Sequence, residues 1–175
     1  RPLRSRSNRS SKAARGPPKP ETIEAPFVWA TNLRAKLHSM AQLLSDGIRS
    51  ISGEMQCQRC NGNFVHSYDL EEKFWEVNGY IIENGGKMLQ RAPERWLRPI
   101  YPSCSLCMES ECARPVISEK KRNINWLFLF LGQMIGSCTL DQLRYYCKHT
   151  ENHRTGAKDR LVFLVYMSIS MQLLP

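Results

Sequence analysis

The sequence predicts an α+β fold in which small cysteine-bearing β-hairpins pack with a predominantly helical domain. Three observations carry this. Four cysteines stand in two identical C-x-x-C pairs, Cys57/Cys60 and Cys104/Cys107. Short alternating stretches flank the first pair. Helical periodicity fills most of the last third of the chain.

The first segment, RPLRSRSNRSSKAARGPPKP, is Arg/Ser-rich and then Pro-rich, with almost nothing apolar. It has too little apolar surface to offset its ordering entropy, so residues 1–25 are expected to form a disordered basic arm. The arm reads either as a solvated linker or as a weak nuclear-import or RNA-contacting segment. Residues 26–175 are expected to form one domain, with knuckles near 48–68 and 100–118 and a helical part over 119–175. The chain begins with arginine rather than methionine and is read as a fragment, which leaves an upstream signal or transit peptide open.

Within 32–44, Leu33, Leu37, Met40, Ala41 and Leu44 recur at helical spacing, and Gly47 stands where a C-cap belongs. Residues 48–56 read as a strand running into the first cysteine pair. Over 63–68, Phe64, His66 and Tyr68 alternate with Val65 and Ser67, which predicts the returning strand. Asp69, with Glu72 three residues on, caps a helix whose buried stripe is Leu70, Phe74, Val77, Ile81 and a borderline Trp75. Gly85-Gly86 ends it, and a short helix is expected over 87–91. Pro99 and Pro102 lead into the second pair, and Pro115-Val116-Ile117 is expected to return as a short strand. Residues 125–135 are apolar nearly all round and should form a central helix broken by Gly136. Thr139 with Gln142 makes a capping box for a helix through His149, and a last helix is expected over 157–173.

A C-x-x-C turn places two thiolates on one side of a tight loop, and two such turns complete a tetrahedral four-sulfur shell. Cys57, Cys60, Cys104 and Cys107 are therefore expected to bind one structural Zn2+. Such binding supplies about 10–16 kcal/mol of apparent free energy in small zinc peptides, so metal and fold would be inseparable here. The 43 residues between Cys60 and Cys104 exceed the roughly 15–20 of compact ribbons, and the helix starting at Asp69 accounts for the excess. Cys112 competes as a ligand, and two unrelated thiol pairs are the bland alternative. With four protein ligands, no position is left for a catalytic water.

A second constellation is Cys147, His149 and His153, in YYCKHTENHRTGAKDR. Two histidines four apart would share a helical face, which opens a metal-dependent nuclease-like reading. Against it, no third partner is evident, Gly156 ends the helix, and polar residues at a helix terminus are the plainer reading. Between Arg144 and Arg160 lie five Lys/Arg and two acids. Arg144, Lys148, His149, His153, Arg154, Lys158 and Arg160 are the candidate phosphate or partner contacts. Residues 125–149 also match the outline of a helix-turn-helix, an alternative in which Gln142, Arg144 and Lys148 would face DNA.

Charge narrows the function classes. The net charge is +9, but residues 1–20 carry Arg1, Arg4, Arg6, Arg9, Lys12, Arg15 and Lys19 with no acid, while the remainder has 18 basic and 16 acidic residues. The folded part is near neutral, which weakens a whole-surface nucleic-acid binder. An odd count of seven cysteines, four of them in paired C-x-x-C spacing, with 42% apolar residues to build a core, favours a reducing compartment, nucleus or cytosol, over a secreted disulfide scaffold. The longest apolar stretch, over 124–138, falls short of the roughly 20 residues that span a bilayer.

Several stretches resemble a plant family of uncharacterised proteins known only as a domain of unknown function: PFVWATNLRAKLHSM, SGEMQCQRC, SYDLEEKFWEV, RAPERW, EKKRNINWLFLFLGQMIGSCTLDQLRYYCKHT and NHRTGAKDRLVF. The resemblance covers roughly residues 26–175. It implies a low-complexity amino-terminal region and zinc ligands at the four paired cysteines, with no established activity. The terminal MSISMQLLP departs from it in being less polar. The expected function is a non-enzymatic zinc-binding interaction module for a protein or nucleic acid; a scaffold that oligomerises through its last helix is a further alternative.

Overall fold

The computed structural model describes residues 16–174, and no helix occurs over the described residues 16–39. The first 15 residues of the expected basic arm lie outside the described residues. Residues 16–25 are irregular, yet the Ile23 N–H donates to the Asn32 carbonyl at 2.8 Å and Arg34 Nη1 donates to the Pro20 carbonyl at 2.6 Å.

The helix expected over 32–44 forms only in its last part, as α1 (Met40–Ser45), started by Ser39, whose side chain accepts from the Gln42 N–H. Upstream, Ala35 takes a left-handed φ of 56° and the chain folds back so that Ala30 bridges Leu37. The Leu37 N–H donates to the Gln172 side chain, far along the sequence, rather than to a helical carbonyl. Gly47, at φ 78°, closes α1: its N–H reaches the Leu44 carbonyl, and the Ile48 N–H reaches Leu43.

Strands β1 (Ser50–Cys57) and β2 (Asn63–Asp69) form an antiparallel hairpin with Ile51 opposite Tyr68 and Met55 opposite Phe64. Ile51, Met55 and Tyr68 turn inward, whereas Val65 is exposed. A short β3 (Ala113–Pro115) adds to the other edge of β1, antiparallel, with Cys57 opposite Ala113. The sheet order is β2-β1-β3. The third strand was expected at 115–117; its register on β1 moves it two residues earlier.

The Asp69 side chain accepts from the Glu72 N–H at 2.8 Å and starts α2 (Leu70–Asn84). Leu70, Phe74, Val77 and Ile81 are buried as their spacing predicts, but Trp75 is 57% exposed because the stripe is complete without it. The helix expected over 87–91 does not form: Leu89 and Gln90 both take positive φ and turn the chain. After Pro93 comes the single turn α3 (Glu94–Leu97), which buries Trp96 completely.

All six residues of α4 (Trp126–Leu131) are buried. Phe128 lies directly on β1, and a Cβ at Gly53 would sit 2.4 Å from its ring, so only glycine admits this approach. The helix is shorter than the expected 125–135: Gly132 caps it, Gln133 takes φ 54°, and a 3-10 turn follows at Ile135–Ser137. The capping box forms as predicted, with Thr139 and Gln142 exchanging both hydrogen bonds at the start of α5 (Leu140–His149). The helix-turn-helix outline is thereby lost. Its first helix is one buried turn and a half, its connection spans 132–139, and Gln142 is committed to its own helix start.

The final helix α6 (Lys158–Leu173) packs along α5 and against α2, α3 and α4. Tyr166 stacks on Trp96 at 3.9 Å between ring centres, and Ser170 donates to Asn78 of α2 in a buried bond of 2.9 Å. The result is α+β, with the sheet and both cysteine turns at one end of a helical core. Among the described residues, no helix is long and apolar enough to cross a membrane.

Candidate metal centre and basic cleft

The hairpin turn after β1 carries Cys57 and Cys60, and the loop before β3 carries Cys104 and Cys107. Both turns are built alike. The first sulfur accepts two backbone N–H groups, from Arg59 and Cys60 at 3.2 and 3.3 Å, and from Leu106 and Cys107 at 3.3 and 3.4 Å. The carbonyl of the first cysteine accepts from the residue after the second, Asn61 or Met108, and both of those residues take left-handed φ, 59° and 64°. Each first cysteine then donates its own N–H five residues on, to Gly62 or Glu109. Pairing of β3 beside β1 brings the two turns face to face.

The four sulfurs lie within 4.8 Å of one another. Cys57 and Cys107 are 3.7 Å apart, and Cys60 and Cys104 3.8 Å. A tetrahedron with metal–sulfur bonds of about 2.3 Å has edges of about 3.8 Å. The geometry therefore fits a four-coordinate soft metal, with Cys57 and Cys104 buried and Cys60 and Cys107 facing outward.

The electrostatics agree. Burial opposes ionisation of Cys57, but the N–H groups of Cys60 and Arg59 outweigh it and bring the thiol down to about 6. At Cys107 the Glu109 backbone favours the thiolate, yet burial and the neighbouring sulfurs of Cys104, Cys57 and Cys60 push it up to about 11. The Cys60 thiol is also raised: its Gly62 backbone bond is outweighed by burial and by Cys57 and Cys104. Four thiolates this close repel one another unless a cation sits among them. Cys112, the competing ligand, is buried with its sulfur 3.5 Å from that of Cys57, but it stands outside the group of four and its S–H donates to the Glu109 carbonyl at 3.2 Å.

The second constellation does not assemble. Cys147 is fully buried in the apolar core, and the loss of water there pushes its thiol up to about 11. The helix stops at His149 with Thr150 as its cap, so His153 follows in an exposed loop rather than on the same face. Among the described residues, the four cysteines are the one group of three or more side chains placed to share a metal.

The basic residues divide. Arg144, Lys148, His149 and Arg154 line an open cleft of about 1800 Å³, whereas His153, Lys158 and Arg160 lie outside it. The facing walls are residues 19–26 and the loop 119–123, contributing Lys19, Lys120, Lys121 and Arg122, with Arg34 beside them. Of these five, Lys19 was read only as part of the basic arm and the other four were missed; the run EKKRN was the available signal for Lys120, Lys121 and Arg122. Lys121 pairs with Asp141 at the start of α5. Tyr145 and His149 meet edge to face at 4.5 Å within the cleft. Burial, then Lys148, Arg34, Lys19 and Arg154, holds the His149 imidazolium pKa below its usual value.

The family model for Domain of unknown function (DUF7086) matches residues 40–173. The chain belongs to this family. The match takes in both cysteine turns and every helix, and in the cleft it covers the 119–123 loop and α5 but not the wall at 19–26. No curated protein and no solved structure matches the chain.

Proposed function

We propose that the four paired cysteines hold one zinc ion as a structural centre, and that the protein is an interaction module for a protein or nucleic-acid partner in a reducing compartment, nucleus or cytosol. The observation that carries the metal reading is the pair of sulfur–sulfur edges at 3.7 and 3.8 Å, set by two turns of one design. Four protein ligands leave zinc no open position for substrate or water, which argues for support of the fold rather than hydrolysis. The knuckle end has little apolar core of its own: Cys57, Cys104 and Cys112 cluster with only Phe64 packed against them. A tetrahedral sulfur shell also suits iron. Elemental analysis of the purified chain decides between them, with one zinc per chain and no visible iron–thiolate absorption expected. Protein that carries neither metal and keeps both turns ordered would refute the reading.

A further inference from the structure

We infer that the cleft between the 119–123 loop and α5 binds the phosphodiester backbone of a nucleic-acid strand. This rests on the interaction-module reading and names its partner. On α5, Arg144 and Lys148 are one turn apart and exposed, while Leu143, Tyr146 and Cys147 face the core. The Lys121–Asp141 ion pair joins the loop to the start of the same helix, so the loop and helix cations line one side of the cleft together. Among the described residues, Lys120, Arg122, Arg144, Lys148 and Arg154 line the cleft without an ion-pair partner.

The acids are placed unevenly. Asp141 is engaged by Lys121, and Glu21 and Glu24 belong to the opposite wall, leaving Glu119 beside the basic run. A phosphate chain is thereby directed along the α5 side. Tyr145 and His149 stand between the cations, and aromatic faces interleaved with positive charge suit stacked bases rather than an acidic peptide. Residues 1–15, joined to the cleft wall through Gly16–Lys19, carry six further basic side chains and no acid.

Five cations that each neutralise one phosphate give a slope of log affinity against log salt of about −3.5 on a single strand. The test is fluorescence anisotropy on the full chain with labelled single-stranded RNA, single-stranded DNA, duplex DNA and polyglutamate, at several salt concentrations. The triple variant Lys120→Glu, Arg144→Glu, Lys148→Glu should bind the preferred strand at least tenfold more weakly, with a slope shallower by about 2. Lys158→Glu, outside the cleft, should match the wild type. The strand bound most tightly identifies RNA or DNA as the source of the backbone. An unchanged affinity and slope in the triple variant overturns the inference. Polyglutamate bound as tightly as any nucleic acid also overturns it while leaving the interaction module standing. Zinc content measured on the same samples shows separately whether the metal reading fails.

Discussion

If the four cysteines hold zinc as proposed, chelation should unfold one end of the protein and spare the other. The segment over 102–112 carries the second turn and has little else to hold it. Leu106 and Met108 are 57% and 78% exposed, and only Cys104 and Cys112 are buried within it. Four backbone hydrogen bonds fasten it: Ala113 to Pro102, Gln58 to Cys112, Cys104 to Glu109 and Met108 to Cys104. At about 1 kcal/mol each they supply about 4 kcal/mol. Ordering its eleven residues costs about 11 kcal/mol at about 1 kcal/mol per residue, the low end for the backbone. The deficit of about 7 kcal/mol is more than offset by the roughly 10–16 kcal/mol of apparent free energy that structural zinc supplies in small zinc peptides. Chelation, or Cys104→Ser, should therefore release 102–112 and the turn at 57–62. The core built by α4, α5 and α6 should persist. Hydrogen–deuterium exchange read by mass spectrometry on peptides from both regions is the assay. Amides of 102–112 that stay as protected in chelator as those of α5 would refute the reasoning.

Four further outcomes are expected. Gly136→Ala places a Cβ 2.0 Å from the Trp96 carbonyl oxygen and 2.8 Å from that of Leu97; backbone cannot yield as a side-chain tip can, so urea melts should show a loss of about 3 kcal/mol. Thr139→Ala removes one half of the capping box and should cost about 1 kcal/mol by the same melts. Burial pushes the Cys138 and Cys147 thiols up to about 12 and about 11; both should stay unalkylated in the native protein, while Cys60 and Cys107 label once metal is withdrawn. His149 titrates below its usual 6.5 when folded, so the unfolded chain takes up its proton first; its contribution is whole above pH 6.5 and falls as pH drops toward the folded pKa. Comparison of His149→Gln with wild type across pH 7 to about 5 checks the sign, since the variant should lose less stability on acidification.

Capping residues made most helices legible. Asp69 and the Thr139–Gln142 pair mark the starts of α2 and α5 by chemistry confined to four residues, and both helices begin where those residues stand. The four clustered cysteines were equally open to reading, because each C-x-x-C turn is local and only their meeting depends on the fold. What stayed hidden was settled at a distance. Spacing over 32–44 fits a helix, but the Leu37 N–H finds its acceptor at Gln172, and no local pattern contains that bond. Trp75 continues an apolar stripe that α2 completes without it. The basic cleft draws on several separate segments: Arg144, Lys148, His149 and Arg154 were named from sequence, Arg34 and the 119–123 run were not, and His153, Lys158 and Arg160 fell outside it.

Asn125 joins three segments with one side chain. Its Oδ1 receives the Trp29 indole N–H at 2.9 Å, and its Nδ2 donates to the Ser52 carbonyl at 2.9 Å. An indole offers only a hydrogen and a carbonyl only lone pairs, so the group between them must supply both complements. A carboxylate in that place would face the Ser52 oxygen with like charge, and an aliphatic chain would abandon both neighbours. Deamidation at this single position would thus free the hairpin's Ser52 carbonyl, while the Trp29 indole would keep an oxygen to donate to.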